Sequence, residues 1–431
     1  MNVALPRIQT DLGFSSSALS WVMTAYTLVF GGLLLLGGRA GDLFGRRRVL
    51  LAGITLFTLA SLAGGLAESS TWLLVARAVQ GLGSAMAGPG AIALLSTTFT
   101  DPQQRTRALA WFSGVASGGI AVGLVLGGLL TEWLSWRWVL FINVPVGIAV
   151  VALAARYLRE PERHPKRLDL PGALTATTGV AALVYGFIRA AADGWGNPMT
   201  IVSLVLGALL LAAFLVIETR TAEPLIPLRL FADRNRASAY GNFFLGPMAG
   251  MSMFFFMTQY LQEIRGMSAL GTGFAFLPMA LLAFGLSRLV PRLLPRFGPK
   301  PVALIGTASM VAGVLVLTGL SETTGYFPTI LVSMLLMGLG MGLAFAPLNV
   351  IIMATVPPAD AGAAGGVLQT MQQTGGALGL AILVTVFGSV TRTATGSPHH
   401  VLVSGMTGAF VASAIIATLT FVVALTFRKA R

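Results

Sequence analysis

The sequence contains no cysteine, so neither a disulfide framework nor a thiolate metal site is open to it. Charge is scarce as well: Asp, Glu, Lys and Arg make up 10% of the 431 residues, where soluble domains carry about a quarter. Its three histidines, His164, His399 and His400, all fall in polar connections, which leaves little for metal or acid–base chemistry. None of the 15 acidic residues lies well inside an apolar run. These shortages disfavour a membrane-embedded enzyme, and neither a metal nor a cofactor is expected.

Apolar chain is what the sequence has in excess. Hydrophobic residues reach 55% and the mean hydropathy is +0.82, which places the chain in a lipid bilayer. The net charge of +13 would suit a nucleic acid only if Lys and Arg gathered on one solvated face. They are spaced between apolar runs instead, so no nucleic-acid partner is expected. Runs of about 20 apolar residues match a hydrocarbon core of about 30 Å. Thirteen such spans are predicted, at 18–37, 49–67, 72–98, 108–130, 138–157, 170–189, 199–217, 238–258, 270–289, 301–320, 326–355, 366–388 and 401–427. No stretch reads as a removable signal peptide or a soluble domain.

Of the 28 Lys and Arg, 22 fall in one set of alternate loops, five (Arg7, Arg137, Arg189, Arg265 and Arg392) fall in the other, and Arg77 lies inside a span. Basic loops stay in the cytoplasm, so this alternation predicts a cytoplasmic C-terminus.

The chain also repeats itself. GFSSSAL at Gly13 to Leu19 resembles GMSAL at Gly266 to Leu270, and LFGRRR at Leu43 to Arg48 resembles RFGPK at Arg296 to Lys300, with Phe44 and Gly45 matching Phe297 and Gly298. A complete span, 238–258, precedes the GMSAL loop. Before GFSSSAL stands only the apolar scrap Met1 to Pro6, followed by polar loop. One helix is therefore expected to be missing from the front.

Restoring it gives six spans, an extra pair at 170–189 and 199–217, and six more. Local motifs fit the same plan: NVALP at Asn2 to Pro6, WVMTAYTL at Trp21 to Leu28, GGRAGDLFGRRR at Gly37 to Arg48, ARAVQGLGSA at Ala76 to Ala85 and WRWVLFINVPVG at Trp136 to Gly147. Together they resemble the major facilitator superfamily, and within it the fourteen-helix drug:proton antiporters of the EmrB/QacA type. The resemblance implies an all-α membrane protein with a major facilitator fold. Residues 1–158 would hold helices two to six of the N-terminal half, 159–220 the two linking helices, and 221–431 the C-terminal six-helix half. It further implies a carrier in the cell membrane that exports lipophilic or cationic drugs against protons by alternating access. A monomer is expected. The family places a membrane aspartate a few residues before NVALP, so the reading frame is expected to continue upstream through about 20 apolar residues. A start-site error and a real truncation stand as alternatives for the missing helix. Rival readings are a facilitator or importer of a small solute on the same fold, and an inactive truncated carrier.

Arg77, Gln80, Gly81 and Ser84 share one helix face by their i, i+3, i+4, i+7 spacing. An ionisable group inside a span is a functional candidate, and the resemblance implicates this arginine, with Gln80 beside it, in proton coupling. The competing reading is snorkelling toward the span's end near Trp72. In the loop Gly38 to Arg48, Gly41 and Gly45 are expected to permit a tight turn and Asp42 to meet a helix N-terminus or an arginine. The resemblance makes Gly38, Gly41, Asp42, Gly45, Arg46 and Arg47 a gate on the cytoplasmic side; enforcement of topology is the competing role. Gly119, Gly123, Gly127 and Gly128 form a smooth stripe that allows close helix contact and resembles the family's antiporter signature. Leu124 stands where that signature has proline, which predicts a straighter helix. Candidates for the substrate cavity are Tyr26, Asn242, Asn349, Gln369, Gln372 and Gln373, together with Met248, Met251 and Phe255, whose flexible thioethers and ring suit varied lipophilic ligands. For the apolar members, packing or lipid contact competes.

Overall fold

The computed structural model describes residues 1–98, 101, 104, 115, 119, 122–158, 169–221, 224–354, 356 and 360–427. Among these the only regular structure is helix. A 3-10 turn at Asn2–Ala4 leads into α1 (Leu5–Leu12), followed by α2 (Trp21–Phe44), α3 (Arg46–Gly65), α4 (Ser70–Thr98), α5 (Val122–Trp133), α6 (Trp138–Tyr157), α7 (Leu170–Asp193) and α8 (Pro198–Arg220). Then come α9 (Arg234–Gln259), α10 (Ala269–Phe297), α11 (Pro299–Leu317), α12 (Leu331–Met353), α13 (Ala361–Thr393) and α14 (Pro398–Leu425). Each predicted span falls on one of these helices, although most of 108–121 lies outside the described residues. Also outside are Arg105, Arg107, Arg159, Arg163, Lys166, Arg167, Arg428, Lys429 and Arg431 from the basic loops, His164, and the expected boundary after residue 158.

Ten helices among the described residues are long and apolar enough to cross a membrane. A further helix, α9 with 26 residues, reaches the length but not the apolarity, and α4 has 29 residues. α4 carries Arg77 and Gln80, and α9 carries Asn242 and Gln259.

Caps explain many of the helix starts. Asp169, Asn197, Asp233, Ser268 and Ser397 each accept a backbone N–H in the first turn of α7, α8, α9, α10 and α14. The loop expected after Pro6 is helical as far as Leu12. Proline is compatible with a first helical turn, and the helix ends only where Gly13 takes a left-handed conformation at φ 66°. Gly266 repeats that conformation at φ 63°, and Gly45 and Gly298 end α2 and α10 at φ 105° and 78°. The two glycine pairs of the sequence repeat thus share backbone geometry as well as letters.

α2, α3, α4 and α6 pack together, as do α9 to α14, while the hairpin α7–α8 lies against α2 and α13. α2 meets α13, which joins the two groups of helices, and α5 meets α10. The largest buried cluster gathers Leu5 and Ile8 of α1 with Phe255, Phe256 and Phe276 of α9 and α10. Outside, Val202, Leu206 and Leu209 of α8 and Ile148 and Leu153 of α6 are exposed. Such apolar faces are costly in water and are solvated by lipid tails.

Candidate functional site

Arg77 sits about two turns into α4 and is only partly exposed. Its guanidinium, which has donors but no acceptor, bonds inward: Nε to the Val22 carbonyl of α2 at 2.9 Å and Nη1 to Gln80 Oε1 at 2.8 Å. Gln80, 1% exposed, passes the chain on by donating Nε2 to Ser61 Oγ of α3 at 2.6 Å, and Ser61 donates to the Phe57 carbonyl at 2.7 Å. The guanidinium carbon also lies 4.6 Å from the centre of the Tyr26 ring, whose hydroxyl donates to Ser84 at 3.0 Å. One cation thereby organises polar contacts across α2, α3 and α4. A snorkelling arginine would turn its head toward Trp72; this one is held by α2 and by its own helix.

At the other end of α2, Gly45 occupies φ 105°, and α3 begins at the next residue. Gly45 is the glycine this turn needs. Gly41, expected to share the task, lies within α2 without a positive φ, because the helix continues to Phe44, and Gly38 is helical too. Asp42 Oδ1 accepts Nε and Nη2 of Arg46 at 3.0 and 2.8 Å. Arg47 donates to the Ala155 carbonyl of α6, and Arg39 to the Pro224 carbonyl at 3.1 Å in the segment before α9. The arginines of this loop therefore reach three different partners, which topology alone would not require.

On α13, which packs on α2, Gln369, Gln372 and Gln373 are partly buried. Gln373 presses on Gly31, and Thr370 donates to the Gly31 carbonyl at 3.2 Å. The neighbouring Gly375, Gly376 and Gly379 receive Phe244, Met251 and Met248 of α9. Met248 and Phe255 are buried. What the structure gives these α9 residues is therefore a helix seam, not an open wall: at Gly375 and Gly379 the missing Cβ lets the α9 backbone at Phe244 and Met248 come close, and at Gly376 the Met251 side chain lies alongside. Asn242 is 1% exposed; its Nδ2 donates to the Ser238 carbonyl at 3.0 Å, while its Oδ1 is buried without a partner. Asn349 is exposed, one turn before the end of α12.

Of the α5 glycines, Gly128 makes the close contact: a Cβ there would lie 2.7 Å from the Ala269 carbonyl oxygen of α10. Among the described residues nothing comes within 4 Å of a Cβ built at Gly119 or Gly123, and Gly127 would meet only Met1 N at 3.7 Å. Among the described residues, Gly128 alone of the four meets α10. Among the described residues no three His, Asp or Glu side chains come together as a metal site.

Sequence reasoning passed over three carboxylates. Glu218, 3% exposed, accepts the Leu225 and Ile226 amides at 3.3 and 3.1 Å and so folds the segment after α8 beneath Arg39. Asp11 accepts Trp136 Nε1 at 2.8 Å and lies 3.6 Å from Arg137. Glu132 bonds across from α5 to α10. Each looked like an ordinary loop acid; only Trp136, inside its motif, hinted at a partner.

Comparison with known proteins adds an independent finding. The family model described as Major Facilitator Superfamily matches residues 1–380. The puromycin resistance protein pur8 of Streptomyces alboniger is 45% identical over 391 residues, 90% of this chain and 77% of that protein. The cephamycin export protein CmcT of Amycolatopsis lactamdurans is 44% identical across 97% of this chain and 87% of its own length. A solved auto-inhibited POT family peptide transporter superposes with a TM-score of 0.70 at 15% identity, covering 100% of this chain and 94% of its own, which is a likeness of fold alone.

Proposed function

The chain belongs to the Major Facilitator Superfamily, and on that premise we propose that it exports small lipophilic or cationic molecules of antibiotic type in exchange for protons. It is a multi-pass membrane transporter and not an enzyme. The observation that carries the export reading is 44% identity, over 97% of the chain, with a protein named for cephamycin export. In this proposal the chain follows the fourteen-helix plan and lies in the cell membrane as a monomer, with the arginine loops and the C-terminus in the cytoplasm. The groups α2–α6 and α9–α14 rock against each other around a central pathway. Tyr26 and the face of Gln369, Gln372 and Gln373 would meet the substrate, and the unpaired Oδ1 of Asn242 is a further polar contact. The Asp42–Arg46 pair would help hold the cytoplasmic end shut.

Arg77 has a narrower role than a proton carrier. Arginine keeps its proton at physiological pH, so Arg77 would act through its hydrogen bonds and its field, and the exchanging proton would bind elsewhere. As α2 shifts along α4, the bond from Arg77 to the Val22 carbonyl would break and re-form, tying helix motion to the charge state of the pathway.

Puromycin accumulation tests the reading in cells with and without the gene. Expression should lower accumulation, and dissipating the proton gradient should abolish the difference. Raised accumulation would mean import. Equal accumulation would remove this drug class as cargo, and a difference that survives loss of the gradient would remove proton coupling.

A further inference from the structure

At the end of the molecule opposite the arginine loops, α5 stops beside the start of α10. Glu132, one residue before the end of α5, reaches across this junction. Its Oε2 accepts the Leu270 amide at 2.8 Å, and Ser268 lies beside the carboxylate. Ser268 is the cap of α10, its Oγ accepting the Gly271 amide at 3.1 Å. One carboxylate from α5 thus serves the unpaired first turn of α10, where the helix dipole favours negative charge. Next to it the backbones touch: a Cβ at Gly128 would lie 2.7 Å from the Ala269 oxygen, and one at Gly273 would lie 2.7 Å from the Leu124 oxygen. Gln262 Nε2, in the turn after α9, also donates to the Val3 carbonyl at 2.8 Å and ties down the N-terminal turn.

We propose that Glu132 is the latch that holds α5 to α10 and keeps this end closed, and that it releases the Leu270 amide each time the pathway opens there. The proposal rests on the alternating-access reading. Ser268 and the Leu270 amide hold the Glu132 carboxyl below its usual value of 4.5; slight burial opposes them and the Arg7 charge assists. A carboxyl lowered in the latched state favours latching above its ordinary pKa and loses that effect as pH falls through the lowered value. The latch therefore stays shut at neutral and mildly acid pH, and helix motion rather than protonation opens it.

With no native cysteine, a single Leu124→Cys gives a unique reporter on α5, at a side chain 7% exposed in the closed junction. The assay is the rate of maleimide labelling of the purified protein in lipid nanodiscs at neutral pH. Adding Glu132→Ala should raise that rate roughly three- to tenfold, the effect of losing a charge at a helix start. Glu132→Gln, nearly isosteric and the safer variant to fold, should raise it less, and Ser268→Ala should raise it too. Unchanged or slower labelling in the Glu132 variants overturns the latch. Since labelling needs no cargo, faster labelling in a protein that fails to export puromycin would keep the latch and sink only the export reading.

Discussion

Replacing Arg77 by alanine removes two charge-assisted hydrogen bonds, to Val22 at 2.9 Å and to Gln80 at 2.8 Å, and a cation over the Tyr26 ring. Bonds of that kind contribute about 1.5–3 kcal/mol each, and the ring contact about 0.5–2 kcal/mol. The sum is an upper bound, since water entering the gap satisfies part of what is lost and the Val22 carbonyl belongs to a helix. A net loss of about 3 kcal/mol corresponds to roughly 150-fold. Where that loss appears depends on when the network is made. If its bonds are strongest in the state that limits turnover, efflux falls by that factor while folding changes little; if they are equally strong in every state, stability falls and the rate does not. Arg77→Lys keeps the charge as a single ammonium that can serve one of the two acceptors well, so it should lose only about tenfold. Puromycin efflux, matched for protein in the membrane, and thermal unfolding of the purified variants separate these outcomes. Wild-type efflux by Arg77→Ala refutes the functional role. A variant that unfolds early yet transports normally per folded molecule refutes coupling and leaves a structural brace.

Three further substitutions follow from the geometry. Asp42→Asn weakens a partly exposed pair worth about 0.5–1 kcal/mol, so efflux should slow by roughly two- to fivefold with unchanged topology; an inverted or mixed orientation of single-cysteine reporters would leave the loop as a topology signal only. Gly128→Ala drives a methyl against the Ala269 oxygen and should cost about 1–3 kcal/mol, whereas Gly123→Ala has room among the described residues and should keep wild-type stability; melting temperatures in the reverse order would contradict the packing. Glu218→Ala strands two buried amides and should lower stability by about 2 kcal/mol, with Glu218→Gln recovering part; equal melting curves for all three proteins would show that water replaces the carboxylate at no cost.

The spans were legible because a membrane imposes a length and an apolarity that few other environments demand, and Arg77 was legible because it breaks one of those runs. Its partners were not. Val22 contributes a carbonyl, which leaves no mark in a sequence, and Ser61 and Tyr26 belong to other helices whose rotation no single periodicity reveals. The same limit explains the α9 candidates: Met248 and Met251 read as cavity side chains, but only the close approach at Gly379 and Gly376 shows that they meet α13. Glycine was legible as a turn where a helix ends, at Gly45 and Gly298, and misleading where α2 ran on through Gly41.

What unites these contacts is α2. One of its faces carries Val22 and Tyr26 against the Arg77 network of α4, and another carries Gly31 against Gln373 and Thr370 of α13. Gly31 is closely packed and Val22 is hydrogen-bonded, so neither contact can slide while the other stays fixed. A helix is stiff over the nine residues that separate them, about 14 Å. Any shift that loosens Arg77 from Val22 must therefore also change how α2 sits on the glutamine face of α13, which is the physical requirement for a charge in one half of a carrier to be felt in the other.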